Sequence, residues 1–128
     1  MSGGERASEP ASEPAGERGV VVWGIPSCGT VKKARAWLDE RGVAHAFVDL
    51  RQAPPSAARI ASWARMFGVQ ALKNTSGGSY RALPADKDTW SDERWLAAFA
   101  ADPMLVRRPI VEQDGAPLQV GWRAPPAL

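Results

Sequence analysis

Cysteine is nearly absent from this chain of 128 residues, which contains Cys28 alone. One cysteine cannot form a disulfide within the chain, and the single histidine, His45, provides no Cys/His cluster with metal-ligand spacing. The sequence therefore predicts no metal site and no bound cofactor. It also predicts a cytoplasmic location, because small proteins of oxidising compartments usually carry paired cysteines.

Long apolar runs and an excess of one charge sign are missing as well. No stretch approaches the roughly 20 apolar residues that span a bilayer, and the N-terminus lacks the apolar segment of a secretory signal. The 16 Lys and Arg residues are almost balanced by 14 Asp and Glu residues. We therefore predict that neither a membrane nor a nucleic acid is a partner.

Apolar material is nevertheless sufficient for one folded domain, which we predict to cover residues 19–122. Hydrophobic residues make up 45% of the chain, and six residues are Trp. Residues 1–18 consist almost entirely of small, charged and proline residues, so they are predicted to form a disordered tail. Residues 123–128 are predicted to form a second, short tail that is rich in proline.

The first part of the domain has the pattern of a βαβ unit. The run from Val20 to Trp23 is short and β-branched, which predicts a strand that is buried on both faces and ends at Gly24. An amphipathic helix is predicted from Val31 to Arg41, with its start near Thr30. Val43 to Leu50 then predicts a second strand, parallel to the first.

Residues from about 56 to 106 are predicted to form a helical insertion. Ser56 is placed to cap a first helix with an apolar stripe at helical spacing. Residues 69–90 contain turn-forming stretches and predict short helices and loops. Ser91 is placed to cap a further helix, which reaches about Ala101 before a proline ends it.

Two short apolar runs near the C-terminus, Ile110–Val111 and Leu118–Val120, predict a β-hairpin. Asp114 and Gly115 lie between them, and an Asp-Gly pair in this setting is a strong turn signal. A βαβ unit, a helical insertion and a hairpin together predict a mixed sheet in an α/β fold of the thioredoxin-like class. The chain after residue 122 is too short for the helix that usually closes this fold.

Cys28 lies between the first strand and the first helix, where nucleophiles and ligands gather at the carboxyl ends of parallel strands. A thiol with an ordinary pKa near 8.5 is only slightly ionised at neutral pH, so a reactive Cys28 needs a stabilised thiolate. Gly29 and Thr30 would bring the helix N-terminus to the sulfur, and Lys32 and Lys33 would add positive potential. Thr30 can either donate its hydroxyl to the sulfur or cap the helix. The alternative interpretation of Cys28 is a small buried hydrophobic residue.

Arg107-Arg108-Pro109 precedes the hairpin and is the second candidate site segment. An X-Pro bond at the entry to a strand is a candidate for a cis peptide, and in thioredoxin-like folds this proline lies against the active cysteine. We therefore expect Pro109 to form a wall beside the sulfur. Arg108 is expected to pair with the thiolate or with a bound anion, and Arg107 to be solvated.

The absence of a second thiol limits the chemistry that is open to Cys28. Val31 stands three residues after Cys28, so there is no Cys-x-x-Cys pair to resolve a mixed disulfide. Cys28 would therefore act as a monothiol, and an external thiol such as glutathione would regenerate it. This predicts a thiol reductase or transferase that acts on a small thiol or a thiol conjugate.

Three segments resemble the ArsC/Spx family, which comprises arsenate reductases and the Spx regulators: residues 23–34 (WGIPSCGTVKKA), 71–75 (ALKNT) and 107–111 (RRPIV). The Lys-Lys-Ala run, the Leu-x-Asn-Thr segment and the ending Gly121-Trp122 are most similar to the YffB-like branch, which is described as glutathione-dependent thiol reductases. The resemblance implies a thioredoxin fold with a helical insertion. It also implies glutathione as co-substrate and allows glutaredoxin as a partner.

The resemblance leaves two other functions open. The arsenate reductases use a cysteine and three arginines, of which Cys28 and Arg108 match, whereas Lys73 stands near the position of the insertion arginine. Lys73 keeps the charge without the bidentate fork, so we expect it to bind the thiolate or an anion together with Arg108. The Spx regulators bind RNA polymerase and mostly carry a Cys-x-x-Cys switch, which this chain lacks.

Overall fold

The βαβ unit predicted for the start of the domain is confirmed. In this computed structural model, which describes residues 19–128, strand β1 (Val20–Gly24) is followed by helix α1 (Gly29–Glu40) and strand β2 (His45–Asp49). The two strands are parallel, with Val22 opposite Phe47. The predicted tail at residues 1–18 lies outside the described residues.

The helical insertion separates β2 from the next strand. Four α-helices make it up, namely α2 (Ala57–Phe67), α3 (Val69–Leu72), α4 (Gly78–Arg81) and α5 (Asp92–Ala101), together with 3₁₀ helices at Ala85–Thr89 and Pro103–Leu105. The hydroxyl of Ser56 accepts the backbone N–H of Arg59, and that of Ser91 accepts the N–H of Arg94. Both predicted caps are therefore confirmed, because each satisfies an N–H group that the first helical turn leaves unpaired.

The C-terminal hairpin completes a mixed four-stranded sheet. Strands β3 (Ile110–Gln113) and β4 (Ala116–Val120) are antiparallel, and the strand order is β2-β1-β3-β4. Asp114 and Gly115 form the turn with φ of 53° and 84°, the backbone conformation that favours Gly and Asp in tight hairpins. This arrangement confirms the thioredoxin-like fold, and residues 121–128 contain no helix.

Each face of the sheet is covered by a different part of the chain, and β1 is buried along its whole length, as predicted. On one face, Val20, Val22 and Val111 pack against α1. On the other face, the core includes residues of β1, β3 and the insertion, namely Val21, Trp23, Ile110, Ile60, Trp63, Trp95 and Phe99. Leu96 is half-buried and packs at the edge of this core.

A buried charged cluster, which the sequence did not predict, joins the insertion to the sheet. Glu112 in β3 is 2% exposed, and its carboxylate accepts the indole N–H groups of Trp23 at 3.0 Å and Trp63 at 2.8 Å. Nη1 of Arg59 donates to both carboxylate oxygens, at 2.7 and 2.9 Å. Because both oxygens are hydrogen-bonded, the buried charge is tolerated, and the cluster fixes α2 against β1 and β3.

Helix α1 packs very closely against the end of β1. A Cβ atom at Gly24 would lie 2.5 Å from Cγ2 of Val31, a distance that real Cβ contacts essentially never show. Glycine at position 24 therefore allows the first turn of α1 to approach the sheet. This approach places Cys28, which precedes that turn, at the carboxyl end of β1.

Candidate active site

Cys28 occupies the N-cap position of α1, one residue closer to the helix than predicted. The predicted start was near Thr30, whereas the helix begins at Gly29. The backbone N–H of Cys28 donates to the carbonyl oxygen of Ile25 at 3.2 Å, which closes the loop, and its carbonyl accepts the N–H of Lys32 at 3.0 Å. The side chain is partly exposed, so solvent and a small substrate can reach the sulfur.

The surroundings of Cys28 lower the pKa of its thiol. Partial burial is the largest single influence and raises the pKa, because it disfavours the charged thiolate. The backbone N–H groups of Val31 and Thr30 lower the pKa, and Arg108 lowers it through its side-chain N–H groups and its positive charge. Together these groups outweigh burial, so the thiolate of Cys28 is more populated at neutral pH than that of an ordinary cysteine.

Arg108 is held in place by the backbone of the segment that precedes it. Its Nη1 donates to the carbonyl oxygens of Met104 at 3.2 Å and Val106 at 3.4 Å. Its Nε is buried and has no hydrogen-bond partner among the residues that the structure describes. Most buried donors in proteins are paired, so this N–H is an exception.

Pro109 follows Arg108 through a cis peptide bond, which agrees with the expectation from the sequence. The proline is buried, and its carbonyl oxygen accepts the backbone N–H of Gly121 at 2.8 Å. This hydrogen bond ties the entry of β3 to the end of β4. The role of Pro109 as a wall beside the sulfur stays a prediction.

Lys73 lies beside the segment that leads to Arg108. It pairs with Val106 in an isolated antiparallel bridge, and the neighbouring residue Leu72 accepts the N–H of Arg107 at 2.7 Å. The ammonium group of Lys73 lies 4.3 Å from the centroid of the Trp95 ring. Its predicted role in binding the thiolate or an anion stays a prediction.

The other residues predicted for the site are exposed. Gly29 is exposed as the first residue of α1, and a Cβ atom there would meet no described atom within 4 Å. Lys32 and Lys33 are exposed on the first turns of the helix, and Arg107 is exposed as expected. The role of Gly29 toward the sulfur stays a prediction, and the positive side chain that acts on the thiol is Arg108.

The backbone N–H of Val31 also lowers the pKa of the Cys28 thiol, a role that was not predicted from the sequence. An N-cap side chain interacts with the N–H groups two and three positions further along, which are those of Thr30 and Val31 when Cys28 is the N-cap. Neither of the two side-chain roles considered for Thr30 is observed: Cys28 holds the cap position, and Thr30 acts through its backbone. Taking Cys28 itself as the N-cap would have identified both groups.

No candidate metal site is found in residues 19–128, where no group of three or more His, Cys, Asp or Glu residues could hold an ion. His45 lies apart on β2, where its Nδ1 is 3.0 Å from the carbonyl oxygen of Val43 and its Nε2 is 3.9 Å from Asp39. No helix of this part of the chain is long and apolar enough to cross a membrane.

Comparison with known proteins gives consistent matches. The model of the ArsC family matches residues 23–125. The global transcriptional regulator Spx of Listeria innocua is 30% identical over 105 residues, which cover 80% of this chain and 79% of the regulator.

Solved structures that match the chain have the same fold. The YffB protein is 32% identical with a TM-score of 0.75, and the match covers 81% of this chain and 91% of that protein. The crystal structure of a possible arsenate reductase from Streptococcus mutans UA159 is 30% identical with a TM-score of 0.76. That match covers 85% of this chain and 95% of the other.

Proposed function

The chain belongs to the ArsC family, and we propose that it is a monothiol reductase or transferase. Cys28 is its nucleophile, and an external low-molecular-weight thiol such as glutathione is its reductant. A reducing cytoplasm would supply such a thiol.

The observation that carries the proposal is the lowered pKa of Cys28 at a helix N-terminus. The N–H groups of Val31 and Thr30 and the side chain of Arg108 all favour the thiolate. The thiolate is the nucleophile in thiol chemistry, and the partly exposed sulfur is accessible to a small disulfide. A buried structural cysteine would have neither property.

The reaction that fits one cysteine is thiol–disulfide exchange in two steps. In the first step the thiolate of Cys28 attacks one sulfur of a mixed disulfide between glutathione and the substrate. The new bond joins Cys28 to glutathione, the old disulfide bond breaks, and the substrate leaves as a thiolate that takes a proton from water. In the second step the thiolate of another glutathione attacks the adduct, which releases oxidised glutathione and regenerates Cys28.

Arg108 and Lys73 are suited to bind the carboxylates of such a co-substrate. Neither side chain has an acidic partner among the described residues, and the buried Nε of Arg108 lacks an acceptor. A carboxylate is a strong acceptor for guanidinium and ammonium groups. We expect Arg108 to interact with both the thiolate and the anionic co-substrate.

The proposal is tested by measuring the rate of Cys28 alkylation against pH and, in parallel, by intact mass after exposure to oxidised glutathione. We expect the midpoint of the rate-against-pH curve to lie below the ordinary thiol pKa near 8.5. We also expect a single glutathione adduct on Cys28, which reduced glutathione removes. Cys28→Ser is the control, and it must show neither reaction. A midpoint at or above that value with no adduct would disprove the proposal.

Arsenate reduction is the second candidate, favoured by a stabilised thiolate next to an unpaired guanidinium N–H. The solved structure from Streptococcus mutans is described as a possible arsenate reductase. Arsenate-dependent oxidation of glutathione in the presence of glutaredoxin, lost in Cys28→Ser, would support this function. The two-cysteine switch common among Spx regulators is unavailable here, because Cys28 is the only cysteine of the sequence.

A further inference from the structure

We propose that Trp95 is a positioning residue of the thiol site. Its ring face holds the ammonium group of Lys73 beside Arg108, so that the two cations bind the anionic part of the co-substrate. This inference rests on the proposed thiol-exchange function and adds a second binding group for the co-substrate, Lys73 oriented by Trp95, to the same site.

The backbone brings Lys73 next to Arg108. Lys73 and Val106 are directly opposite each other in the antiparallel bridge, and in such bridges the Cα atoms are about 4.5 to 5.5 Å apart. The carbonyl oxygen of Val106 in turn accepts Nη1 of Arg108 at 3.4 Å. Val106 therefore contacts both cationic residues, so the backbone of Lys73 and the guanidinium of Arg108 adjoin the same segment of the chain.

Trp95 is a rigid support for a cation. Its side chain is 1% exposed and is surrounded by three other rings, with centroid distances of 6.1 Å to Tyr80, 5.0 Å to Trp90 and 5.8 Å to Phe99. A ring that is packed in this way cannot turn away from Lys73. The face of an indole ring is also the strongest cation–π acceptor among the aromatic side chains.

Lysine needs such a support more than arginine does. An arginine presents a rigid planar fork, whereas the ammonium group of a lysine is a point charge on a flexible stem. Contact with the Trp95 ring at 4.3 Å restricts the Lys73 stem and keeps its charge in one place. A charge that is already ordered loses less conformational entropy when an anion binds.

No carboxylate of residues 19–128 neutralises either cation, and Arg108 faces only the Cys28 thiolate as a negative group. Neither Lys73 nor Arg108 forms a salt bridge with an acidic residue of the described chain. The Trp95 ring orients Lys73 without neutralising its charge. The positive potential at the site therefore remains available to an anionic ligand.

The test compares the rates at which Cys28 reacts with two aromatic disulfides that differ in charge. Dithiobis(nitrobenzoate) carries a carboxylate on each ring, and dithiodipyridine is neutral. In both reactions the thiolate attacks one sulfur and the probe disulfide breaks. Thionitrobenzoate leaves as a coloured thiolate, whereas the pyridinethiolate takes a proton on its ring nitrogen and is measured by the absorbance of the thiopyridone. The ratio of the two rate constants measures charge selectivity separately from the reactivity of Cys28 itself.

We expect Lys73→Met to lower this ratio by about threefold to tenfold, and Trp95→Leu to lower it by a similar factor. The double variant should lower it no further than Lys73→Met alone, because both changes remove the same oriented charge. Trp95→Phe, which keeps an aromatic face, should retain part of the selectivity. If Trp95→Leu does not fold, Trp95→Phe is compared with the unchanged protein instead. If both then have the same ratio of rate constants, the proposal is overturned.

Phe99→Leu is the matched control, since Phe99 is buried on the same helix and packs against Trp95, whereas the cation–π contact of Lys73 is with Trp95. It should lower the melting temperature and leave the ratio unchanged. A ratio that falls as much in Phe99→Leu as in Trp95→Leu would mean that general packing is responsible. If Cys28 reacts with neither probe, the thiol-exchange function itself is wrong, whereas two reactive probes and a ratio insensitive to Trp95 overturn this inference alone.

Discussion

Single residues determine how reactive Cys28 is. Its sulfur is influenced by Thr30 and Val31, two and three positions further along the chain, and by Arg108 from the loop before β3. The first two act because a helix leaves its initial N–H groups unpaired, and the third acts because it is charged. Removing either kind of group should change the reactivity in a direction that can be measured.

Replacing Arg108 by Gln should raise the pKa of the Cys28 thiol, because Arg108 lowers it. The midpoint of the alkylation rate should therefore move to higher pH, and the rate at neutral pH should fall. Arg107→Gln is the matched control, since it removes the exposed neighbouring charge. An equal shift in both variants would contradict a specific role for Arg108.

The ionisation of Cys28 should also appear in the pH dependence of stability. Its pKa is lowered in the folded protein, so between the folded value and the ordinary value near 8.5 the unfolded chain binds more protons. The contribution of Cys28 to stability should rise with pH through this window, stay constant above it and disappear as the pH falls below the folded value.

Urea unfolding of the protein and of Cys28→Ser across this pH range measures that contribution as the difference between their free energies of unfolding. A difference that decreases as the pH rises, or that does not change, would mean that the thiolate is not stabilised in the fold.

At the scale of secondary-structure elements, the close contact between β1 and α1 positions the nucleophile. Gly24 ends the strand, and the side chain of Val31 fills the space in which a Cβ atom of residue 24 would lie. Since Cys28 lies between these two residues, the contact sets how far the helix N-terminus is from the sheet.

Gly24→Ala should therefore destabilise the fold by about 1–3 kcal/mol, the usual cost of overpacking a core. It should also slow the alkylation of Cys28, because α1 must move to make room. Chemical denaturation measures the free energy of unfolding of Gly24→Ala and of the control Gly29→Ala. In the control the new methyl group meets no described atom within 4 Å, so it should reduce stability little. Equal losses in both variants would argue against a steric cause.

At the scale of the whole molecule, the Glu112 cluster joins the two halves of the chain. Glu112 lies 89 positions from Trp23 and 49 from Trp63, so its hydrogen bonds close long loops between the βαβ unit, the insertion and the hairpin. The insertion carries Lys73 and Trp95, and its position on the sheet depends in part on this cluster.

Glu112→Gln should destabilise the fold by about 3–5 kcal/mol, because it removes the carboxylate that compensates the Arg59 guanidinium in a buried setting. The double variant Arg59→Met, Glu112→Leu should recover much of this loss, because apolar groups of similar size need no counter-charge. Thermal and urea unfolding of the three proteins measure both effects. A loss from Glu112→Gln below about 0.5 kcal/mol would show that the pair is not important for stability.

The amino-acid sequence by itself determined the elements and their order. Short β-branched and apolar runs, helical hydrophobic patterns, Ser56 and Ser91 as caps and Asp114-Gly115 as a turn are local signals, and the structure confirms each of them. The same holds for Cys28 at the start of a helix, although the start was placed one residue too late. Local signals suffice here because hydrogen bonds at caps and turns join residues that are close in sequence.

Only the tertiary structure decided which distant side chains meet. The hydrogen bonds of Glu112 and the contact of Lys73 with Trp95 depend on how the insertion packs on the sheet, and no local pattern encodes that packing. The same is true of the Arg108 side chain near Cys28. The sequence suggested this contact from the position of Arg108 before Pro109, and the folded backbone brings the two residues together. Such contacts follow from the burial of apolar surface by the whole chain, so they appear only when all elements are assembled.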